Sequence, residues 1–159
     1  MSQQARIDSR MHRQAYCSSP LHSLAQAAHI MWEKDCGWLP VVDEDGVIVG
    51  VITDRDICMA ALTRGTRLDD EFVETVMARQ VVCVRQEHGI AEVEHLMKIS
   101  QLRRFPVIDA LGRPVGVVTV TDLARAETHH GEPGASAMSG IASALATIAE
   151  PRHGTPLAA

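Results

Sequence analysis

Two four-residue strings carry the chemistry that this sequence offers: Thr53-Asp-Arg-Asp56 and Thr119-Val-Thr-Asp122. A Thr followed three residues later by a carboxylate can close a capping box at a helix start, where hydroxyl and carboxylate each satisfy a backbone N–H. An Asp there also complements the positive end of the helix. The same arrangement suits a ligand. A strand ending in a small hydroxyl residue at a helix N-terminus leaves N–H groups facing outward, where an anion can sit. A carboxylate at that place can accept two hydrogen bonds from the vicinal hydroxyls of a ribose. Capping and binding are compatible, and the residues by themselves leave both open.

Longer text, which the chain states twice, must position these strings. Residues 40–57 and 106–123 align at a constant offset of 66, with nine of eighteen positions identical. The shared residues are Pro40/Pro106, Val41/Val107, Asp43/Asp109, Gly46/Gly112, Val49/Val115, Gly50/Gly116, Val51/Val117, Thr53/Thr119 and Asp56/Asp122. Unrelated text would share roughly one. The offset also holds upstream, at Met11/Met77, Arg13/Arg79, Gln14/Gln80 and Cys17/Cys83. The chain is an internal duplication.

Each copy spells the same elements. A short helical entry is expected at Ile7–Met11 and at Val73–Met77, then extended runs at Ala15–Cys17 and Val81–Val84. Apolar residues at helical spacing predict helices over Leu21–Glu33, with Pro20 at its start, and over Gly89–Ile99. Strands follow at Leu39–Val42 and Phe105–Ile108, then turns that end in Gly46 and Gly112. Return strands follow at Val47–Ile52 and Val115–Val118, and second helices begin near Asp54 and Val120. The fold class is therefore α+β, each half reading strand–helix–strand–strand–helix. The expected organisation is an arm over 1–6, a first repeat over 7–65, and a linker helix with the second repeat over 66–126. A Gly/Pro/Ala-rich tail covers 127–159, with a short helix at 136–149.

Composition narrows the function. The 159 residues are 46% hydrophobic and 3% aromatic with a net charge of −5, so no basic surface for nucleic acid is expected. No run of 18 apolar residues suggests a membrane span, and the polar N-terminus does not read as a secretory signal. Cysteines 17, 36, 58 and 83 form no C-x-x-C pair and read as thiols of a reducing compartment, pointing to a cytoplasmic protein. The eight histidines read as surface residues with no carboxylate or Cys at ligand spacing, so no metal site is expected. No nucleophile–base pair and no phosphate-binding loop of the Walker type is legible, so no catalytic residues are assigned and no enzyme is expected.

The duplicated Pro-Val-Val/Ile-Asp and Gly-Val-Ile/Val-Thr-x-x-Asp text resembles tandem cystathionine-β-synthase (CBS) domains, a Bateman module, over roughly residues 7–125. The resemblance implies two βαββα repeats with pseudo-twofold symmetry in a homodimeric disc. It implies a regulatory ligand containing adenosine (AMP, ADP, ATP, NAD or S-adenosylmethionine) in clefts between the repeats, and an unknown protein target that reads the bound state. Carried onto this chain, Asp56 and Asp122 would hold ribose hydroxyls, Thr53 and Thr119 would face ribose or phosphate, and Ile52 and Val118 would line the base pocket. The Asp122 cleft would add Arg103 and Arg104 with Tyr16, Cys17 and Gly37. The Asp56 cleft would add Arg55 and Trp38 with Val82, Cys83 and Leu102. The arginines are the candidate phosphate contacts, and the pair at 103–104 favours the Asp122 cleft for a polyphosphate. The competing readings are an interaction protein without a nucleotide and a thiol-based regulator using Cys17 or Cys83.

Overall fold

A computed structural model describes residues 6–9, 11–128, 142, 145, 147 and 148. The element order is α1 (Leu24–Glu33), β1 (Trp38–Val42), β2 (Ile48–Thr53), α2 (Asp54–Arg64), β3 (Val84–Arg85), α3 (Ile90–Ser100), β4 (Arg104–Ile108), β5 (Pro114–Thr119) and α4 (Val120–Thr128). Single 3₁₀ turns stand at Ile7–Ser9 and Val73–Thr75, where the sequence predicts short helical entries.

The chain divides into two compact units that do not follow the sequence repeats. One contains Met11–Gln86 and Phe105–Val117; the other contains Glu87–Arg104 with the described residues before Met11 and after Val117.

In the first unit α1 starts at Leu24, three residues later than the apolar spacing suggests. Its start is set by chemistry: Gln26 N–H donates to Ser23 Oγ at 3.1 Å, and Ser23 N–H donates to Gln26 Oε1 at 2.8 Å. Leu24, Ala27 and Met31 then share one buried face, packed with Leu39, Val41, Ile52 and Ile57. Full burial of each large side chain stabilises the fold by about 1.5–3 kcal/mol. β1 and β2 form an antiparallel hairpin pairing Trp38 with Thr53 and Val41 with Gly50. Asp43 Oδ1 shapes its turn by accepting from the N–H groups of Asp45 (3.0 Å) and Val47 (2.9 Å), and Gly46 takes φ +78°. The second copy repeats this with Asp109 Oδ1, the N–H groups of Leu111 and Arg113, and Gly112 at φ +80°. The two turns also meet, Ile48 N–H donating to the Gly112 carbonyl at 3.1 Å.

Strand β3 runs parallel to β4, pairing Val84 with Val107, in a sheet of order β3-β4-β5. Of the extended runs expected at Ala15–Cys17 and Val81–Val84, the first carries no strand and the second only at Val84, where β3 begins. The pairing starts at equivalent places in the two copies, at Val84 in one and at Ser18, which bridges Val41, in the other. No helix forms over Thr66–Val76 beyond the 3₁₀ turn, which corrects the expected linker helix. Its backbone is used elsewhere: the carbonyls of Glu71 and Leu68 accept from the N–H groups of Leu24 and Ala25, and Val73 N–H donates to the His22 carbonyl. Arg64 Nη1 clamps the segment by pairing with Glu71 Oε2 at 2.7 Å.

Glycine is required at two positions by close approach. A Cβ at Gly50 would stand 2.6 Å from Met77 Sδ and 3.0 Å from the Ala78 carbonyl oxygen. One at Gly116 would collide with the His12 carbonyl, with Met11 Sδ at 3.2 Å. The duplicated methionines thus exchange partners, each copy's Met lying over the other copy's glycine.

In the second unit, α3 buries Val93 and Met97 and packs on α4, which buries Val120 and Leu123. Ile7 N–H donates to the His88 carbonyl, fixing the start of the chain to the segment before α3. Residues 142, 145, 147 and 148 are helical, Ile148 is buried, and Gln101 Nε2 donates to the Thr147 carbonyl. The rest of the expected tail helix lies outside the described residues. Among the described residues no helix is long and apolar enough to cross a membrane.

Candidate functional site

Both Thr-x-x-Asp strings fold as strand-to-helix boxes of matching geometry. In the first, Thr53 N–H and Thr53 Oγ1–H donate to Asp56 Oδ2 at 2.9 and 2.7 Å, and Asp56 N–H donates to Thr53 Oγ1 at 3.1 Å. In the second, the N–H and Oγ1–H of Thr119 donate to Asp122 Oδ2 at 2.9 and 2.6 Å, and Asp122 N–H donates to Thr119 Oγ1 at 3.2 Å. The cap is therefore made in both copies, and each carboxylate uses only its Oδ2 in making it. Asp122 is 8% exposed, whereas Asp56 is half-buried.

The backbone before each Pro-Val motif meets the start of the following helix in the same way. Asp54 N–H donates to the Gly37 carbonyl at 3.2 Å, and Val120 N–H donates to the Arg103 carbonyl at 2.9 Å. The side chains at these equivalent places differ in charge. Gly37 faces Asp54, whose Oδ2 would lie 3.0 Å from a Cβ on Gly37; in the second copy the pair is Arg103 and Val120. Arg103 and Arg104 are exposed, as is Arg55.

The other expected site residues are placed as follows. Tyr16, Cys17, Gly37 and Cys83 are half-buried in the first unit, with Val82 exposed; Leu102 is half-buried in the second. Lys34 Nζ lies 5.3 Å from the Tyr16 ring centroid. Ile52 and Val118 are fully buried and Trp38 is 8% exposed. Burial alternates along β2 and β5, where Ile52 and Val118 stand between half-buried neighbours, whereas Trp38 opens β1, whose first four residues are all buried. Burial pushes the thiols of Cys17 and Cys83 up, keeping them protonated at neutral pH. Two histidines do have carboxylates one helical turn away, contrary to the sequence reading: His29 Nε2 lies 3.1 Å from Glu33 Oε1, and His88 Nε2 lies 4.0 Å from Glu92 Oε1. Among the described residues no three His, Cys, Asp or Glu side chains group as metal ligands.

A cavity of about 350 Å³ opens between the end of α1 and the start of α2, its lining including Met31, Trp32, Asp35, Gly37, Asp54 and Ile57. Of these, sequence reasoning reached only Gly37. Asp35, Asp54 and Trp32 have no counterpart in the second copy, where Gln101, Val120 and Lys98 stand, so the duplication could not flag them.

The CBS domain family model matches residues 6–63 and 73–129. The chain belongs to the CBS domain family. Among solved structures it is similar to the CBS domain pair of protein MJ0100 in complex with 5-methylthioadenosine and S-adenosyl-L-methionine, at 27% identity and a TM-score of 0.68, covering 77% of this chain and 94% of that one. It is also similar to CBSX2 in complex with AMP, at 26% identity and a TM-score of 0.66, covering 76% of this chain and 94% of that one. CBSX2 is a CBS-pair protein of Arabidopsis thaliana. Protein MK0525 of Methanopyrus kandleri is 27% identical over 117 residues, 74% of this chain, and the chain spans 60% of its length.

Proposed function

We propose that this CBS pair is a non-catalytic regulatory module that binds an adenosine-containing ligand and signals its presence to a partner protein, most simply as a homodimer. The observation that carries this reading is the twice-built Thr-x-x-Asp box. Capping occupies one carboxylate oxygen of each Asp, and the second oxygen of a half-buried Asp56 has the chemistry to accept ribose hydroxyls. The neighbours crystallised with adenosine compounds support the ligand class. At the second box the exposed Arg103 beside Val120 supports an anionic ligand such as AMP, ADP, ATP or NAD. The four free cysteines suit a cytoplasmic setting, and the raised thiols of Cys17 and Cys83 speak against thiol-based sensing. Calorimetric titration of ligand-free protein with AMP, ATP, NAD and S-adenosylmethionine tests the reading. Saturable binding of one, lost in Asp56→Ala or Asp122→Ala, supports it. No binding of any at millimolar concentration overturns it in favour of an interaction protein whose boxes only cap helices.

A further inference from the structure

The two boxes match in their Thr and Asp geometry but differ in what stands at the start of each helix. At α2 the first three N–H groups are already taken. The Gly37 carbonyl accepts from Asp54 N–H at 3.2 Å, Asp54 Oδ1 from Arg55 N–H at 2.7 Å, and Thr53 Oγ1 from Asp56 N–H at 3.1 Å. The anion that a helix start attracts is here the protein's own Asp54 carboxylate. Its Oδ2 lies 3.0 Å from where a Cβ on Gly37 would stand, and Gly37 is the repeat equivalent of Arg103. At α4 the charge is reversed. Val120 and Asp122 N–H donate to the Arg103 carbonyl and Thr119 Oγ1, but Val120 has no oxygen with which to cover the Thr121 N–H. Arg103 is exposed and forms no ion pair among the described residues. Arg55 is exposed in the first box, but it follows Asp54 directly, so a phosphate reaching it also meets that carboxylate.

We infer that the two boxes select different classes of adenosine compound. The first takes one without a phosphate, neutral or cationic at its 5′ end, and the second takes a 5′-phosphorylated one. The inference rests on the adenosine reading and makes Asp54 and Arg103 the residues that decide specificity. A phosphate monoester carries about −1.5 to −2 charges at neutral pH. Beside Asp54 it is repelled and finds the first three N–H groups of α2 occupied. Beside Arg103 it gains charge-assisted hydrogen bonds, and the Thr121 N–H has no side-chain acceptor before it. The ribose is treated alike in both, because Asp56 and Asp122 each spend only Oδ2 on the cap. One chain would thus report two metabolite classes rather than the same signal twice.

The test is calorimetric titration with adenosine and with AMP, which differ only in the phosphate. Asp122→Ala leaves the first box and should bind adenosine at least about threefold more tightly than AMP. Asp56→Ala leaves the second box and should prefer AMP by about tenfold. Two exposed changes in the otherwise wild-type chain give the same answer without touching either Thr–Asp pair. Asp54→Asn should tighten AMP at the first box about threefold with adenosine unchanged, and Arg103→Gln should weaken AMP at the second about tenfold. AMP bound as tightly as adenosine in Asp122→Ala, or AMP binding indifferent to both Asp54→Asn and Arg103→Gln, would overturn this inference and leave the adenosine reading standing. Failure of wild type to bind either compound would remove the adenosine reading and this inference with it.

Discussion

Replacing Thr53 by Ala tests whether the box works as a cap before any ligand is present. The change removes the acceptor of the Asp56 N–H (3.1 Å) and the hydroxyl that donates to Asp56 Oδ2 (2.7 Å), while Thr53 N–H still reaches that oxygen. Loss of a Thr cap costs about 1 kcal/mol, within a span of roughly 0.5–2. For a chain of 159 residues each kcal/mol moves the melting temperature by about 2–4 °C. Ligand-free Thr53→Ala should therefore melt roughly 2–4 °C lower, and Thr53→Ser, which keeps the hydroxyl, should stay close to wild type. The matching distances at Thr119 predict a loss of the same size for Thr119→Ala. Differential scanning calorimetry on nucleotide-stripped protein reads both. An unchanged melting temperature in Thr53→Ala and Thr119→Ala would refute the cap. The same result governs how ligand assays are read, because an Asp56→Ala protein starts from a lower baseline and only its ligand-induced shift reports binding.

Further outcomes follow from packing and ionisation. Gly50→Ala and Gly116→Ala should each destabilise the protein by about 1–3 kcal/mol in urea unfolding. Gly116→Ala should cost more, since its Cβ meets the His12 carbonyl whereas the first obstacle at Gly50 is a flexible Met77 side chain. Exposed Cys58 should alkylate with iodoacetamide before Cys17 and Cys83, whose thiols burial pushes up; faster labelling of either at pH 7 would contradict this. Glu71 is held below the usual glutamate range, chiefly by the Thr66 hydroxyl; desolvation opposes it, and Arg64 and then Thr75 add to the lowering. A depressed folded pKa means that its stabilisation is present above the unfolded value near 4.3 and is lost as pH falls through the folded value. The gap in melting temperature between wild type and Glu71→Gln should accordingly close below about pH 4.

The duplication made the fold legible, because two copies agreeing on turn glycines and strand ends leave little room for another assignment. Gly46 and Gly112 in their turns, Gly65 at the end of α2 with φ +65°, and helix starts after Thr53 and Thr119 all follow from local chemistry. The start of α1 stands in the text as the local capping box Ser23-Leu-Ala-Gln26, which apolar spacing passes over. The route of residues 66–76 is decided by hydrogen bonds between segments distant in sequence, such as Leu24 N–H to the Glu71 carbonyl, which periodicity does not register. Ile52 and Val118, which the family resemblance places at a base pocket, are fully buried on the inward positions of β2 and β5. Asp35 and Asp54 went unread because they differ between the copies, and comparison of the copies selects what they share.

The most direct test of the regulatory reading is thermal unfolding of ligand-free protein with AMP, ADP, ATP, NAD and S-adenosylmethionine, on wild type, Asp56→Ala and Asp122→Ala. A ligand at 100 times its dissociation constant stabilises by about 2.7 kcal/mol, which corresponds here to roughly 5–10 °C. The account predicts such a shift with one of these compounds in wild type, abolished by at least one of the two Asp changes. A shift that survives both changes, or none with any compound at millimolar concentration, would contradict it.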